Sequence, residues 1–523
     1  MSEISNMNTD IAGTVADFLR RNALYFRDEP ALLFEGATRT HGELVGRGTK
    51  LANAFYALGL RRQERVAVLA TNCLEFCEIY AAVELSAYVA AAVNYRLAAA
   101  EIAATLNDAS PKILVFEDRY ADVIDQIRPQ LATIEHYICI GKAPGWAARY
   151  EAIVEGGRDD TVPYRPQPMD LCYLLYTGGS TGRPKGVMIS QSGAVGFAEL
   201  IALSTQAGPS DRCLMMMPLC HSGAKNMPLA FLKQSCAVTI LPWFDAENVL
   251  TAINDQRISI THMAPSLIKQ ILDHPSVSKY DLRSLRAICY SAAPMPIPVL
   301  KQGLELLGPV FLQMYGQTEG SGTVLPAQLH RPDGSERDLR RLGSIGIPGA
   351  NVSVRIVDDE DRDVPVGQPG EILLRHASVM AGYWNNSAAT AETLRGGWLH
   401  TGDMAKFDED GFLYLVDRKK DMIISGGENV YSREVENALY QHPAVAEAVV
   451  IGIPDPKWGE AVHAVVALKP GGSATEDELV AHCRTLIAGY KRPRSIDFLD
   501  ELPKMPTGKI DKVAVRNKYG RRG

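Results

Sequence analysis

Glycines interleaved with hydroxyl residues fill one loop, Tyr176–Thr177–Gly178–Gly179–Ser180–Thr181–Gly182–Arg183–Pro184–Lys185–Gly186. Such a loop exposes backbone N–H groups and small donors that can wrap phosphate oxygens, and Lys185 adds a point charge. The spacing differs from the Walker phosphate loop, because no Gly-Lys-Ser/Thr follows at the required offset. A flexible linker is the alternative, but it leaves unexplained the apolar lead-in Leu171 to Leu175 and the closing Pro-Lys-Gly. Farther along, Tyr315–Gly316–Gln317–Thr318–Glu319 sets a carboxylate beside a hydroxyl. That pairing suits a magnesium-bound phosphate, since Mg²⁺ prefers oxygen ligands. Near the end, Leu502–Pro503–Lys504–Met505–Pro506–Thr507–Gly508–Lys509–Ile510 offers a glycine for a tight turn and a lysine projecting from it. A mobile ammonium can neutralise charge that builds where anionic groups meet.

These loops need rigid elements to hold them. Val66 to Ala70 and Ile113 to Phe116 read as buried strands, with helices over Glu75 to Leu85 and Ala100 to Asp108. The same rhythm returns between Val238 and Tyr290, with strand-like Ile258 to Thr261 and Ala287 to Tyr290. Strand and helix in alternation predict an α/β sheet. From Asn351 to Arg375 short alternating strands and the turn Gly367–Gln368–Pro369–Gly370 predict a small antiparallel β unit. The charged run Asp417–Arg418–Lys419–Lys420–Asp421 marks a domain boundary, giving domains 1–418 and 419–523. The second reads as α+β: helical Ser432 to His442, then strand-like Val445 to Ile451 and Ala461 to Leu468.

Composition narrows the class. The chain has 523 residues, enough for two or more domains. Lys plus Arg is 54 and Asp plus Glu is 61, a net charge of −7 that argues against a nucleic-acid binder. The nine cysteines form no CxxC pair, which fits reduced core thiols rather than a zinc knuckle or a redox motif. Glu3, Asp10 and Asp17 break any basic-then-apolar leader pattern. The longest apolar stretch, Tyr80 to Val93, is interrupted by Glu84 and is too short to span a bilayer. A cytoplasmic protein without a membrane span is expected, and a homodimer would be ordinary.

Taken in order, these motifs resemble the adenylate-forming superfamily of acyl-CoA synthetases, firefly luciferase and peptide-synthetase adenylation domains. The resemblance covers about residues 35 to 515. It implies a large N-terminal domain of two α/β subdomains plus a β-barrel-like unit, and a small mobile α+β C-terminal domain facing the active site. It also implies ATP, Mg²⁺ and coenzyme A as ligands. By resemblance, Thr177, Gly178, Gly179, Ser180, Thr181, Gly182 and Lys185 bind phosphates, Glu319 holds the metal, Thr318 touches the α-phosphate, and Tyr315 with Gly316 packs on adenine. Ala292, Ala293 and Pro294 fall beside adenine, Asp403 and Arg418 on the ribose, and Lys420 at the hinge. Lys509 is the lysine of the adenylation step. The chain departs from the commonest signature at Gly178, where Ser is usual, and at Ser180, where Thr is usual. Ser291–Ala292–Ala293–Pro294 stands where a Gly-Gly-Ala-Pro segment is usual, and alanine for glycine limits how closely the backbone can approach a ligand.

The resemblance further implies coenzyme A contacts from Ser425, Gly426, Gly427, Trp458, Tyr490, Arg492 and Arg494. Rings can stack on adenine or pack along pantetheine, while guanidinium groups pair with phosphates. Pro218–Leu219–Cys220–His221–Ser222–Gly223–Ala224 matches the segment in which a histidine gates the acyl site. The small Gly223 and Ala224, with Met263, Met314 and Gly316, are expected to line a pocket for an aromatic, alicyclic or medium-chain acid. Lys225 could meet a second polar group on the acid, but the stronger expectation is that it faces solvent. Peptide-synthetase domains place Asp where His221 stands, so an amino-acid substrate is not expected, and Phe244–Asp245 reads as a helix start. Transfer to a carrier protein instead of coenzyme A is the alternative reading.

Overall fold

The computed structural model describes residues 13–177, 184–426, 428–504 and 510–520. Its contacts divide the chain into two compact units. One holds Arg183–Val354, Leu374–Leu399 and the chain that precedes the glycine loop; the other holds Arg355–Leu373 and His400–Gly523. The architecture is mixed α/β, with a large N-terminal and a small C-terminal part, as the sequence implies.

Two sheets build the first unit. In one, six parallel strands run from Leu171–Thr177 through Val89–Ala92, Arg65–Leu69, Ile113–Glu117 and His136–Ile140 to Ala148–Arg149. Lys185–Ser190 and Gly382–Tyr383 extend it in antiparallel fashion. The central strands are apolar without interruption because helices cover both faces of a parallel sheet. Val66, Ala67, Val68 and Leu69 are all inaccessible to solvent.

The other sheet has nine strands. Its parallel core passes from Pro30–Phe34 through Ala237–Ile240, Arg212–Met215, Ile260–Met263 and Ala287–Tyr290 to Phe311–Gln317. Antiparallel Gly320–Leu325 and Ile347–Pro348 follow. The carboxyl ends of parallel strands are where ligands gather in open α/β sheets. Here those ends lead into the segments with His221, Ser291–Pro294 and Thr318–Glu319.

The expected β unit is a four-stranded sheet in the order Ser353–Val357, Gly370–Arg375, Leu399–Phe407, Leu413–Arg418. The C-terminal part has a second sheet centred on the long antiparallel pair Val445–Asp455 and Gly459–Leu468. Alternation sorts its side chains. Val450, Val462, Ala464 and Val466 face one core with Val435 and Leu479, while Val449, Ile451, Val465 and Ala467 face another with Leu502, Val515 and Tyr519. Val515 and Tyr519 belong to the helix Lys512–Tyr519.

Candidate active site

Register brings the first chemistry into place. Gln317 pairs with Gly320, so Thr318–Glu319 is a two-residue connection between antiparallel strands. The ladder shifts at Tyr315/Gly316, and a Cβ on Gly316 would collide with Ser321. Only glycine permits that close approach. Tyr315 itself is buried.

The Glu319 carboxylate, through Oε1, accepts a 2.8 Å hydrogen bond from the Tyr383 hydroxyl. The Lys185 ammonium lies 4.7 Å from the centre of the same ring. Tyr383 reaches both because Gly382–Tyr383 pairs with Lys185–Ser190 through Tyr383 and Val187, and because the Glu319 carbonyl accepts from the Met380 N–H at 2.8 Å. Burial, then the adjacent Glu319 charge, push the phenol pKa up, so Tyr383 keeps its proton and remains a donor. The cation and the carboxylate expected from sequence are thus joined by a tyrosine that sequence did not single out. Among the described residues no group of three or more His, Cys, Asp or Glu could hold a metal ion. A lone carboxylate fits a magnesium ion that arrives with phosphates, since Mg²⁺ keeps most of its shell from water and substrate.

Thr177 and Lys185 are register partners at the base of the glycine loop. Tyr176 anchors that base by donating to the Asp108 carboxylate at 2.6 Å, and Trp384 Nε1 donates to the Asp108 carbonyl at 3.0 Å. Gly178, Gly179, Ser180, Thr181 and Gly182 lie outside the described residues. Beyond the strand Ala287–Tyr290, Ala292 adopts φ +72°, a left-handed conformation that favours glycine. Ala293 and Pro294 are exposed.

His221 occupies the N-cap position of the helix Ser222–Lys233, and its carbonyl accepts from the Lys225 N–H at 2.9 Å. A Cβ on Gly223 would stand 3.4 Å from His262 Cε1. One expectation needs correction. Lys225 does not face solvent: its ammonium is 2.8 Å from Glu84, with side chains 6% and 4% exposed, and lies 4.5 and 4.8 Å from the Tyr80 and Tyr173 ring centres. A buried lysine needs such a partner, because desolvation of an unpaired ammonium is costly. Met263 and Met314 do not share a face of the sheet. Met263 is aligned with Tyr290, and Tyr290 with Gln313, so Met314 points to the other side. Met314 packs in the core that contains Ala224 and Met227, and Met263 packs with Tyr290 and Phe311.

The second unit carries the remaining residues. Asp403 and Arg418 are register partners, and Arg418 Nε is 3.0 Å from Asp403 Oδ1. Asp403 is buried and Arg418 exposed, so the guanidinium covers a carboxylate whose turn is fixed from beneath. There Gly402, at φ +68°, donates its N–H to Glu371 at 3.0 Å, and the Asp403 N–H donates to Thr401 Oγ1 at 3.1 Å. Lys420 is exposed. Lys509 lies outside the described residues; the stem of its loop is closed by the antiparallel bridge Lys504–Ile510 and by the Asp511 N–H donating to the Pro503 carbonyl at 2.7 Å.

Residues 19–384 match the AMP-binding enzyme family, and residues 434–509 match the AMP-binding enzyme C-terminal domain. The chain belongs to this adenylate-forming family. It is 37% identical to a feruloyl-CoA synthase of an Amycolatopsis species, over 93% of this chain and 95% of that one. It is 35% identical to an indoleacetate–CoA ligase of Aromatoleum aromaticum, over 97% and 98%. Its fold matches the amide bond synthetase McbA from Marinactinospora thermotolerans with a TM-score of 0.85 at 31% identity, covering 96% and 99% of the two chains.

In this family member the expected coenzyme A residues fall into two groups. Gly426, at φ +63°, lies against the Trp458 indole: its N–H donates to the Trp458 carbonyl at 2.7 Å, and a Cβ would stand 2.7 Å from the ring. The Arg494 guanidinium is 4.1 Å from the centre of the same ring. Ser425 is buried beside them and pairs with Gly459. Tyr490 is exposed and is neighboured by Lys491, itself held by Glu434, while Arg492 is half-buried. Gly427 lies outside the described residues.

Proposed function

We propose that this enzyme is an ATP-dependent acid–CoA ligase acting on an aromatic, alicyclic or medium-chain acid. A carboxylate oxygen of the acid attacks the α-phosphorus of ATP as the bond to pyrophosphate breaks. The sulfur of coenzyme A then attacks the acyl carbon, the carbon–oxygen bond to AMP breaks, and the thiol proton leaves to solvent. The observation that carries the reading is the Lys185–Tyr383–Glu319 linkage: a cation and a carboxylate fixed through one phenol suit a triphosphate and the magnesium that travels with it. Glu319 would hold that ion, and charge neutralisation is what it supplies.

Thr177, Lys185 and the glycine loop take the phosphates, Thr318 the α-phosphate, Tyr315, Gly316 and the Ala292–Pro294 segment the adenine, and Asp403 with Arg418 the ribose. Lys509 serves adenylation, and 419–523 is the domain that turns at Lys420. His221, Gly223 and Ala224 border the acyl group. The Gly426–Trp458–Arg494 cluster offers a ring and a guanidinium to coenzyme A. Relatives named for feruloyl and indoleacetate thioesters support an aryl acid. The likeness to an amide bond synthetase favours a second reading, in which the adenylate passes to another acceptor.

Mass-spectrometric detection of products from a panel of acids with ATP and Mg²⁺, with and without coenzyme A, tests the reading. An acyl-CoA and AMP formed only with coenzyme A support it, and Trp458→Ala should then slow thioester formation while adenylate formation persists. Adenylate and pyrophosphate without any thioester would move the assignment to another acceptor.

A further inference from the structure

His262 is the third residue of the parallel strand Ile260–Met263, at its carboxyl end, and is 3% exposed. Its Nε2 lies 2.8 Å from Ser291 Oγ, on the neighbouring strand's exit. Its Nδ1 is buried and, among the described residues, has no hydrogen-bond partner. A Cβ on Gly223 would stand 3.4 Å from His262 Cε1, so the ring edge lies against the glycine expected to border the acyl group. Burial holds the imidazole pKa down at about 4, so the ring is neutral at ordinary pH, with one nitrogen a donor and the other an acceptor.

Neither arrangement of the Ser291 bond satisfies the second nitrogen. If Nε2–H donates to Ser291, Nδ1 is left with a lone pair; if the Ser291 hydroxyl donates to Nε2, Nδ1 carries the hydrogen. A buried polar atom without a partner is costly, and a site that keeps one is prepared for a ligand that supplies it. A hydroxyl both donates and accepts, so it meets either tautomer. Lys225, one turn along the helix from His221, already has Glu84.

We propose that His262, set by Ser291, is a specificity-determining residue whose Nδ1 hydrogen-bonds a hydroxyl on the acyl group, so that this enzyme prefers a hydroxylated acid over the same acid without the hydroxyl. This rests on the acid–CoA ligase reading. The test uses the full chain with ATP, Mg²⁺ and coenzyme A, and measures kcat/KM for pairs of aryl acids that differ by one hydroxyl at different ring positions. Wild-type enzyme favours the hydroxylated member of at least one pair by about tenfold or more, the discrimination expected when a buried polar group loses its partner. His262→Leu brings that ratio to within about threefold of one by losing rate on the hydroxylated acid, with the parent acid still turned over. Ser291→Ala, which keeps the ring but loosens its tautomer, lowers the ratio less. A wild-type ratio near one for every pair overturns the proposal without any variant, as does an unchanged ratio in an active His262→Leu enzyme. Failure to turn over any acid overturns the ligase reading itself, and this inference with it.

Discussion

Tyr383→Phe removes one hydroxyl and leaves the ring. Glu319 then loses the donor that holds Oε1 at 2.8 Å, while Lys185 keeps its aromatic neighbour at 4.7 Å. A hydrogen bond to a charged group contributes about 1.5–3 kcal/mol. Tyr383 is 7% exposed but Glu319 is half-buried, and partial solvation of the carboxylate argues for the lower half of that range. At about 1.4 kcal/mol per factor of ten, the loss corresponds to roughly tenfold and at most about a hundredfold. The quantity to measure is kcat/KM for ATP in acid-dependent pyrophosphate release, at several Mg²⁺ concentrations. The drop should be concentrated in that adenylation step, because the hydroxyl acts through Glu319. A double-mutant cycle with Glu319→Gln isolates the pair. Coupling above about 1 kcal/mol is expected, whereas contacts that act independently add within about 0.3–0.5 kcal/mol. Additive losses, or wild-type kinetics in Tyr383→Phe, would refute the claim that the phenol orients this carboxylate.

Three other predictions concern stability. Lys225→Met should cost about 3–5 kcal/mol by leaving Glu84 charged and buried, and adding Glu84→Gln should restore most of it in thermal or denaturant melts; a double variant no better than the single would show that the pair is not the cause. Ala292→Gly should stabilise by about 0.5–1 kcal/mol. It removes roughly 1–2 kcal/mol of left-handed strain, offset by glycine's looser unfolded state, and a lower denaturation midpoint would count against the strain. His262 and His330 are both held near pKa 4 by burial, below the ordinary value of about 6.5. Between those limits the unfolded chain binds protons that the folded rings refuse, so stability should fall as pH drops from about 6.5 to about 4. The slope should approach roughly 1.4 kcal/mol per pH unit for each ring, and His262→Leu should remove its share. An unaltered acid limb in that variant would place the His262 ring in solvent.

Much of the scaffold was legible because parallel strands buried on both faces must be apolar throughout. Ala287–Tyr290 lies where its composition put it, and the helix expected at Glu75 to Leu85 runs over Leu74–Ser86. The strand expected at Ile258 to Thr261 begins two residues later. Ile258 is fully buried, yet its N–H bonds back to the Ile253 carbonyl of the preceding helix, so apolarity marked burial there rather than ladder pairing. The helix Leu74–Ser86 is enclosed almost all round, with Glu78 and Glu84 inside. Their partners are Arg39 and Arg47 for the first and Lys225 for the second, none of them near in sequence.

The site divides along the same line. Motifs whose members are chain neighbours declare themselves: glycine, hydroxyl and lysine in one loop, or Thr318 and Glu319 in one turn. A group whose role depends on what folds against it does not. Tyr383 lies in an unremarked Gly-Tyr-Trp stretch and joins Lys185 to Glu319 only because a two-residue strand pairs beside Val187. Met263 and Met314 looked equivalent as pocket residues, but their faces depend on parity, and parity is fixed by which residue of each strand is aligned with Tyr290. Lys225 carried the same ambiguity, since a lysine in an amphipathic helix is usually solvated and only a carboxylate from another helix makes burial tolerable. Each of these residues is explained by a partner distant in sequence, and Tyr383 in addition acts on two motif residues, Lys185 and Glu319. The motif residues therefore report which chemistry is possible, and the partners supplied by the fold determine how firmly those groups are held.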